Sequence, residues 1–209
     1  MKVSEVLGRG DYALISELIP PRAKVLDLGC GDGSLLAWLK EHKQVEPRGI
    51  EKKRDLVQKA IAQGVTVYQG DLVEAVRDYP DQAFDYVILS QTLQETLEPL
   101  KVLREMLRVG RHAVVAFPNF GHWRVRMAHL FSGRAPKTSL FPYEWHESPN
   151  IHFLTVLDFE EFVRSQGLLI EKELFLAGHR RLSAMPNFWA EVAVYLIQRD
   201  DSGKMPGDR

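Results

Sequence analysis

The chain lacks the features of a secreted or membrane-anchored protein. Its single cysteine, Cys30, cannot form a disulfide within the 209 residues, and this favours a reducing compartment. No apolar run approaches the length of a membrane-spanning helix, and the first residues lack the hydrophobic segment of a secretory signal. We therefore expect a cytoplasmic protein that has no membrane partner.

The chain also lacks an excess of charge of either sign. Its formal net charge is −1, which provides no general attraction to nucleic acid. Metal-binding spacing is missing too, because the histidines of the second half follow no H-E-x-x-H pattern and have no cysteine companions. These histidines are His122, His129, His146 and His152. We expect neither a nucleic-acid partner nor a metal site.

The most informative segment that is present joins an apolar strand to a glycine loop, over residues 25–33 (VLDLGCGDG). Glycines such as Gly29 and Gly31 permit tight turns and close approach of a ligand to main-chain N–H groups. The spacing G-x-G-x-G differs from the G-x-G-x-x-G of dinucleotide-binding folds, and Asp27 at the strand end would repel a pyrophosphate. A carboxylate there suits a cationic or amine-bearing ligand. The alternative is an ordinary turn or helix cap.

Further polar residues follow later strands in an order that fits a nucleotide-type cofactor. Glu51 ends a short apolar run about twenty residues beyond the loop, where an acid meets ribose hydroxyls in related folds. Asp71 follows the alternating segment 65–69 and is a candidate acceptor for an adenine amino group, with Leu72 packing against the ring. Gln91 follows the buried run 84–90 and should lie beside the cofactor.

Strand-like and helix-like segments alternate along the chain, which predicts right-handed parallel crossovers. The predicted helices cover 34–41, 54–62, 98–107 and 159–166, and the fifth strand covers 113–117. Late strands are predicted over 168–175 and 191–198. We expect a single α/β domain over 1–199, with a mostly parallel seven-stranded sheet, helices on both faces and an antiparallel last strand. Residues 200–209 are predicted to be a disordered tail.

Residues 118–152, after the fifth strand, form an aromatic and arginine-bearing insertion. One interpretation is a packed stripe with a solvated face. The other is a cap over the carboxyl ends of the strands, or a partner surface. The residue types that dominate interfaces are represented there. They are Trp123, Arg124, Arg126, Tyr143 and Trp145.

The glycine loop DLGCGDG resembles the first motif of class I S-adenosylmethionine-dependent methyltransferases. Several segments together resemble a narrower group, the methionine biosynthesis protein MetW family. They are VLDLGCGDGSLL, FDYVILSQTLQ, LREMLRVGRHAVVAFPNFGHWRVR, PYEWHESPNIHFLT and PNFWAEVAVYLI. This second resemblance covers almost the whole chain.

The resemblance implies a Rossmann-like methyltransferase fold that binds S-adenosylmethionine or S-adenosylhomocysteine. It also implies association with a homoserine O-acyltransferase of the MetX type in methionine biosynthesis. The expected cofactor-binding residues are Asp27, Gly29, Gly31, Glu51, Asp71, Leu72 and Gln91. The alternative function is methylation of a small molecule. No catalytic residue can be named. The fourth strand leads into SQTLQ, which has neither the Asp/Asn-Pro-Pro-aromatic signature of amino-methylating nucleic-acid enzymes nor the Pro-Cys pair of cytosine-carbon methylation.

Cys30 lies inside the glycine loop, where a helix N-terminus could activate a thiol. No histidine adjoins it in sequence to serve as a base. We expect Cys30 to be a small packing residue rather than a nucleophile.

Overall fold

The computed structural model describes residues 9–138 and 140–200, which contain one mixed β-sheet. Its strands are β1 (Lys24–Leu28), β2 (Glu46–Glu51), β3 (Thr66–Gln69), β4 (Phe84–Ser90), β5 (Gly110–Pro118), β6 (Leu168–Ala177), β7 (Arg180–Leu182) and β8 (Val192–Arg199). Their spatial order is β3-β2-β1-β4-β5-β8-β6-β7. The predicted tail, apart from Asp200, and the first eight residues of the predicted domain lie outside the described residues.

Helices cover both faces of this sheet. They are α1 (Gly10–Leu18), α2 (Ser34–Lys43), α3 (Arg54–Ala62), α4 (Leu72–Ala75), α5 (Pro99–Val109), α6 (Trp123–Ser132), α7 (Val156–Ser165) and α8 (Pro186–Trp189). One apolar cluster joins the sheet to α1 and α2, and the other joins it to α5 and α7. No helix in the described ranges is long and apolar enough to cross a membrane.

Strands β1 to β5 are parallel, and β8 runs antiparallel to both β5 and β6. The central strands β4 and β5 have nearly continuous apolar runs because both of their faces are covered. The α/β fold and the antiparallel last strand are therefore confirmed.

The predicted number of seven strands was wrong, since the sheet has eight strands within the described residues. The additional strand, β7, is three residues long and pairs with the end of β6. A two-residue loop joins the two strands. Gly178 in that loop has a φ of 56°, which suits a tight hairpin. Two of the three β7 residues are exposed arginines, so the segment has no apolar pattern that could reveal a strand.

Helix α1 was also missing from the sequence interpretation. It buries Leu14 and Ile15 against the face of the sheet that carries Val25 and Ile88. The strand order reverses between β1 and β4, and ligands bind at the carboxyl ends of strands at such a switch point in open α/β sheets. The glycine loop begins there, directly after β1.

Candidate functional site

The glycine loop has a backbone that glycine makes possible. Gly29, Gly31 and Gly33 have φ angles of 79°, 59° and 79°, all in the left-handed region. The main-chain N–H groups of Gly29 and Cys30 donate to the carbonyl of Ile50, at 2.8 and 3.0 Å. These bonds hold the loop against the end of β2. A Cβ on Gly31 would meet nothing within 4 Å, so the loop is open at that residue.

Glu51 ends β2, and its buried carboxylate organises the loop. Oε2 accepts a hydrogen bond from the main chain of Gly31 at 3.0 Å, and Oε1 accepts one from the main chain of Lys53 at 2.8 Å. A carboxylate oxygen has more than one acceptor direction. Glu51 can therefore hold the loop and still accept hydrogen bonds from ligand hydroxyls.

Asp71 lies after β3 and begins the short helix α4. Its Oδ1 accepts a hydrogen bond from the main chain of Val73 at 2.9 Å, so it serves as the N-cap. Its Oδ2 lies 3.6 Å from Nζ of Lys52, which is largely exposed. One carboxylate oxygen thus has a structural role, and the other faces solvent and an exposed cation.

A cleft of about 740 Å³ brings several of the predicted residues together. Its lining includes Gly29, Glu51, Asp71 and Leu72, together with Thr92. The volume lies within the range typical of small-molecule sites. The ends of β1, β2 and β3 therefore contribute to one concave surface, as expected for strands that are parallel.

Gln91 does not line this cleft. It has a φ of 55°, its N–H donates to the carbonyl of Ala116, and its carbonyl accepts from Nε2 of Gln94. The next residue, Thr92, lines the cleft instead. The left-handed turn at Gln91 redirects the chain, and the strand pattern alone could not reveal this turn.

Asp27 lies at the end of β1 and is 3% exposed. Its Oδ1 has no hydrogen-bond partner among the residues that the structure describes. Burial raises the pKa of this carboxyl to about 7; nearby Arg9 opposes the rise, while Glu51 and Asp11 add to it. A buried carboxylate oxygen without a partner is costly. An ammonium or amine group of a ligand would relieve that cost.

A polar network from α1 meets the sheet beside Asp27, and the sequence interpretation did not include it. Arg9 contacts both carboxylate oxygens of Asp11, at 3.1 Å from Nε and 2.6 Å from Nη2. Ser90 at the end of β4 donates to Asp11 at 2.7 Å and accepts from Arg9 at 2.9 Å. Nη1 of Arg9 donates to the hydroxyl of Tyr12 at 3.0 Å. The available signal was the R-x-D-Y cluster at the start of an apolar helical pattern.

Cys30 is a packing residue. It is buried, and burial raises the pKa of its thiol above the ordinary value. A Cβ on Gly49 of β2 would lie 2.5 Å from Sγ, so a small side chain and a glycine are matched across the loop. A thiol in this environment lacks the lowered pKa of a nucleophile.

The insertion is anchored by Asn119, which is fully buried after β5. Its Nδ2 donates to the carbonyls of Asn187 and Ala190, at 3.2 and 2.9 Å. Its Oδ1 accepts from the main chain of Gly121 at 2.9 Å and of Val156 at 3.3 Å. This single side chain ties the start of the insertion to α7 and to α8.

The far end of the insertion contacts the chain beyond β4. The main-chain N–H groups of Ile151 and His152 donate to the carbonyl of Gln94, at 2.9 and 3.0 Å. Nε2 of His152 donates to the carbonyl of Thr96 at 3.0 Å. The insertion therefore lies against the carboxyl ends of β4 and β5, next to the cleft.

The aromatic and arginine residues of the insertion divide into two groups. Trp123 packs against Trp189 and lies beside Arg124, while Arg126 donates to the carbonyl of Gly121 and lies over Phe188. The second group is exposed and apolar. It consists of Leu130, Phe131, Tyr143, Trp145 and Ile151.

Comparison with protein families and curated proteins gave related results. The model of a family described as methionine biosynthesis protein MetW matches residues 9–197. The bifunctional methionine biosynthesis protein MetXA/MetW of Rhodopirellula baltica is 35% identical over 211 residues, which covers 95% of this chain and 34% of the relative. Ajmaline N-methyltransferase of Rauvolfia serpentina is 32% identical over 94 residues, which covers 41% of this chain and 32% of the relative. The chain spans about a third of the length of these curated relatives.

Solved structures share the fold. A SAM-dependent methyltransferase of Archaeoglobus fulgidus aligns with a TM-score of 0.66 at 16% identity, covering 94% of each chain. One from Thermotoga maritima aligns with a TM-score of 0.65 at 15% identity, covering 94% of this chain and 93% of the other. At such identities the likeness shows a class I methyltransferase-like fold.

Proposed function

Because this chain belongs to the methionine biosynthesis protein MetW family, we propose that it binds S-adenosylmethionine and supports a MetX-type homoserine O-acyltransferase by associating with it. The cofactor is proposed to lie in the cleft beside the glycine loop. S-adenosylmethionine is formed downstream of the acyltransferase in methionine metabolism. By binding it, the chain would sense the level of this product. Residues 1–199 are proposed to be one domain in which 118–152 is the cap.

The glycine loop and its acids support the cofactor. Gly31 leaves open space for a ligand that approaches the main chain, and Glu51 beside it presents further acceptor directions to ribose hydroxyls. Asp71 has a second carboxylate oxygen for the adenine amino group, with Leu72 against the ring. Asp27 supplies a buried acceptor without a partner. Gln91 is proposed to act through the turn that places Thr92 in the cleft.

The proposed partner is supported by a relative in which the two proteins are fused. In Rhodopirellula baltica, the region similar to this chain is part of one protein named for both MetXA and MetW. Two activities in one polypeptide are held at a high effective concentration. We propose that a separate MetW chain reaches the same acyltransferase through a surface contact.

The exposed apolar side chains of the insertion support a particular surface for that contact. Phe131 and Trp145 are 81% and 78% exposed, and aromatic side chains are enriched at protein interfaces relative to the rest of the surface. The insertion is bonded to the segment 92–96, which also lines the cofactor cleft. A ligand in the cleft and a partner on the insertion thus meet a common segment of chain.

Co-expression with the host's MetX-type acyltransferase tests this function. The chain should co-purify with the enzyme, and the acyl-transfer rate should change on addition of S-adenosylmethionine. A chain carrying Gly31→Ala should still co-purify but should not transmit the effect of the ligand. Absence of a complex and an unchanged rate would contradict the proposal and would favour a free-standing methyltransferase acting on a small molecule.

A further inference from the structure

Residues of the segment 92–96 line two different cavities. Thr92 and Glu95 line the cleft described above, whereas Leu93 and Gln94 line a second cavity of about 310 Å³. The second cavity also reaches α7 and the end of the insertion, and none of the described residues lines both cavities. Its volume lies at the lower end of the range for small-molecule sites. The proposed function does not use this cavity.

The wall of the second cavity is mainly apolar and partly aromatic. Phe159 and Phe162 come from α7, and Phe153 precedes that helix. The ring of Phe153 packs against Phe120, with centroids 4.5 Å apart. A ligand ring packs well against such walls, since aromatic rings attract one another in offset or edge-to-face contacts. The other apolar residues of the wall are Leu93, Pro99 and Leu154.

Gln94 contributes an amide to this wall and is only 4% exposed. Its Nε2 donates to the carbonyl of Gln91 at 2.9 Å. Because that carbonyl can only accept, the orientation of the amide is fixed. Oε1 has no hydrogen-bond partner among the residues that the structure describes. A buried amide oxygen without a partner is costly, so a donor on a ligand would stabilise this side chain.

The two other polar side chains of the wall also retain acceptors. Nε2 of His152 donates to the carbonyl of Thr96, so Nδ1 is the acceptor of the neutral ring. Asp158 uses Oδ2 in the capping box of α7, where it accepts from the main chain and the hydroxyl of Thr155 at 3.2 and 2.6 Å. Its Oδ1 has no partner within residues 9–138 and 140–200. The wall therefore offers acceptors and one carboxylate.

We propose that this second cavity binds a small organic amine that carries one apolar ring. The ring packs among the phenylalanines, and the ammonium donates to acceptors of the wall, where Asp158 supplies the opposite charge. An ammonium has three donors and no acceptor, which matches a wall whose polar side chains all have an unused acceptor. The faces of aromatic rings also attract cations.

The same wall disfavours an anionic ligand. Among the described residues it contains no lysine or arginine, so a carboxylate or phosphate would meet Asp158 without a compensating cation. A ligand with no donor would leave Oε1 of Gln94 unpaired. The inference goes beyond the proposed function, because it concerns a cavity outside the cofactor cleft.

Three probes that share one ring separate these possibilities. They are 2-phenylethylamine, the neutral 2-phenylethanol and the anionic 3-phenylpropionate. Binding is measured by NMR titration of the ¹⁵N-labelled full chain, with and without saturating S-adenosylhomocysteine. Asp158→Asn removes the charge but keeps an oxygen for the capping box. Glu161→Gln is the matched control, because Glu161 is an exposed carboxylate on the same helix that does not line the cavity.

The wild-type chain should bind 2-phenylethylamine about 10-fold or more tightly than 3-phenylpropionate, because charge-assisted hydrogen bonds form only with the amine. Asp158→Asn should weaken the amine about fivefold, as expected for a partly exposed ion pair, and 2-phenylethanol less than about twofold. Glu161→Gln should leave both affinities unchanged. The amine should still bind when S-adenosylhomocysteine occupies the cleft.

Four outcomes would overturn the inference. They are absence of saturable binding of the amine, equal affinity for the amine and the carboxylate, equal losses in Asp158→Asn and Glu161→Gln, and displacement of the amine by S-adenosylhomocysteine, which would place it in the cleft. Binding of the amine as expected by a chain that does not bind S-adenosylhomocysteine would refute the proposed cofactor and support the second site.

Discussion

Gly33 and Ala60 are packed so closely that a Cβ on Gly33 would lie 2.7 Å from the Cβ of Ala60. This contact seats α3 against the glycine loop. Gly31, two residues earlier, has a similar left-handed backbone but open space where a Cβ would be. The two glycines therefore serve different purposes, one in packing and one in access to the main chain.

Alanine at each position should separate these purposes. Gly31→Ala should lower the free energy of unfolding by only about 1 kcal/mol, because a left-handed backbone is strained for alanine. The same substitution should greatly weaken the binding of S-adenosylmethionine. Gly33→Ala should cost roughly 3 kcal/mol, because overpacking against α3 adds to that strain. Urea denaturation and calorimetric titration measure the two effects. Equal destabilisation by the two variants would contradict this assignment.

The glycine loop is also where the sequence was most informative, for a physical reason. A bare loop after an apolar strand has few structural causes, so its residues predict a ligand site, and Glu51 and Asp71 follow from the order of parallel strands. The structure places both in the cleft with Gly29 and Leu72. These roles remain predictions until binding is measured.

Residues whose contacts are distant in sequence were harder to anticipate. Arg9 reaches Ser90 across 81 positions, and no local pattern reports such a pairing. Gln91 was predicted to face the cofactor, but its left-handed backbone turns the chain so that Thr92 lines the cleft. The short strand β7 was missed because three residues of mixed character do not alternate.

The two oxygens of Asp71 can be tested separately. Serine retains an N-cap acceptor for α4 but has no second carboxylate oxygen. Asp71→Ser should therefore change the free energy of unfolding by less than about 0.5 kcal/mol while weakening adenosine-containing ligands. Asp71→Ala should abolish ligand binding and should also lower the free energy of unfolding by about 1 kcal/mol. Thermal or urea unfolding and titration with S-adenosylhomocysteine distinguish them. Full affinity in the serine variant would remove Asp71 from the site.

Asp27 should make stability depend on pH in the ligand-free protein. The pKa of its carboxyl is raised from 3.8 to about 7 in the folded state, so ionisation above pH 4 is easier in the unfolded chain. The free energy of unfolding should fall as pH rises from about 4 to about 7, by roughly 4 kcal/mol from this group. Asp27→Asn should remove that part of the slope. Urea titrations across this range, with wild type and variant compared, measure it.

The same carboxyl should couple ligand binding to protons. A ligand ammonium favours the ionised form, so binding at pH 6 should release a proton that binding at pH 8 does not. Calorimetry in two buffers with different ionisation enthalpies reports the number released. An identical proton count for wild type and Asp27→Asn would show that Asp27 does not meet the ligand.

The exposed apolar side chains of the insertion provide the last prediction. Phe131→Ala and Trp145→Ala remove side chains that are largely solvated, so each should change the free energy of unfolding by less than about 0.5 kcal/mol. Each should nevertheless weaken the complex with the acyltransferase, about 10-fold or more where the residue is an anchor, since aromatic side chains dominate interface energies.

Ile61 is the matched control for this surface, because it is a large apolar side chain that is 56% exposed on α3, outside the insertion. Ile61→Ala should leave the complex unchanged in a surface-binding or co-purification assay. If Ile61→Ala weakens the complex as much as Trp145→Ala, exposed apolar area alone explains the effect and the insertion is not the interface. If only the insertion variants weaken the complex, then the aromatic residues after β5 contact the partner. The insertion that carries them lies against the carboxyl ends of the parallel strands, where the glycine loop also begins.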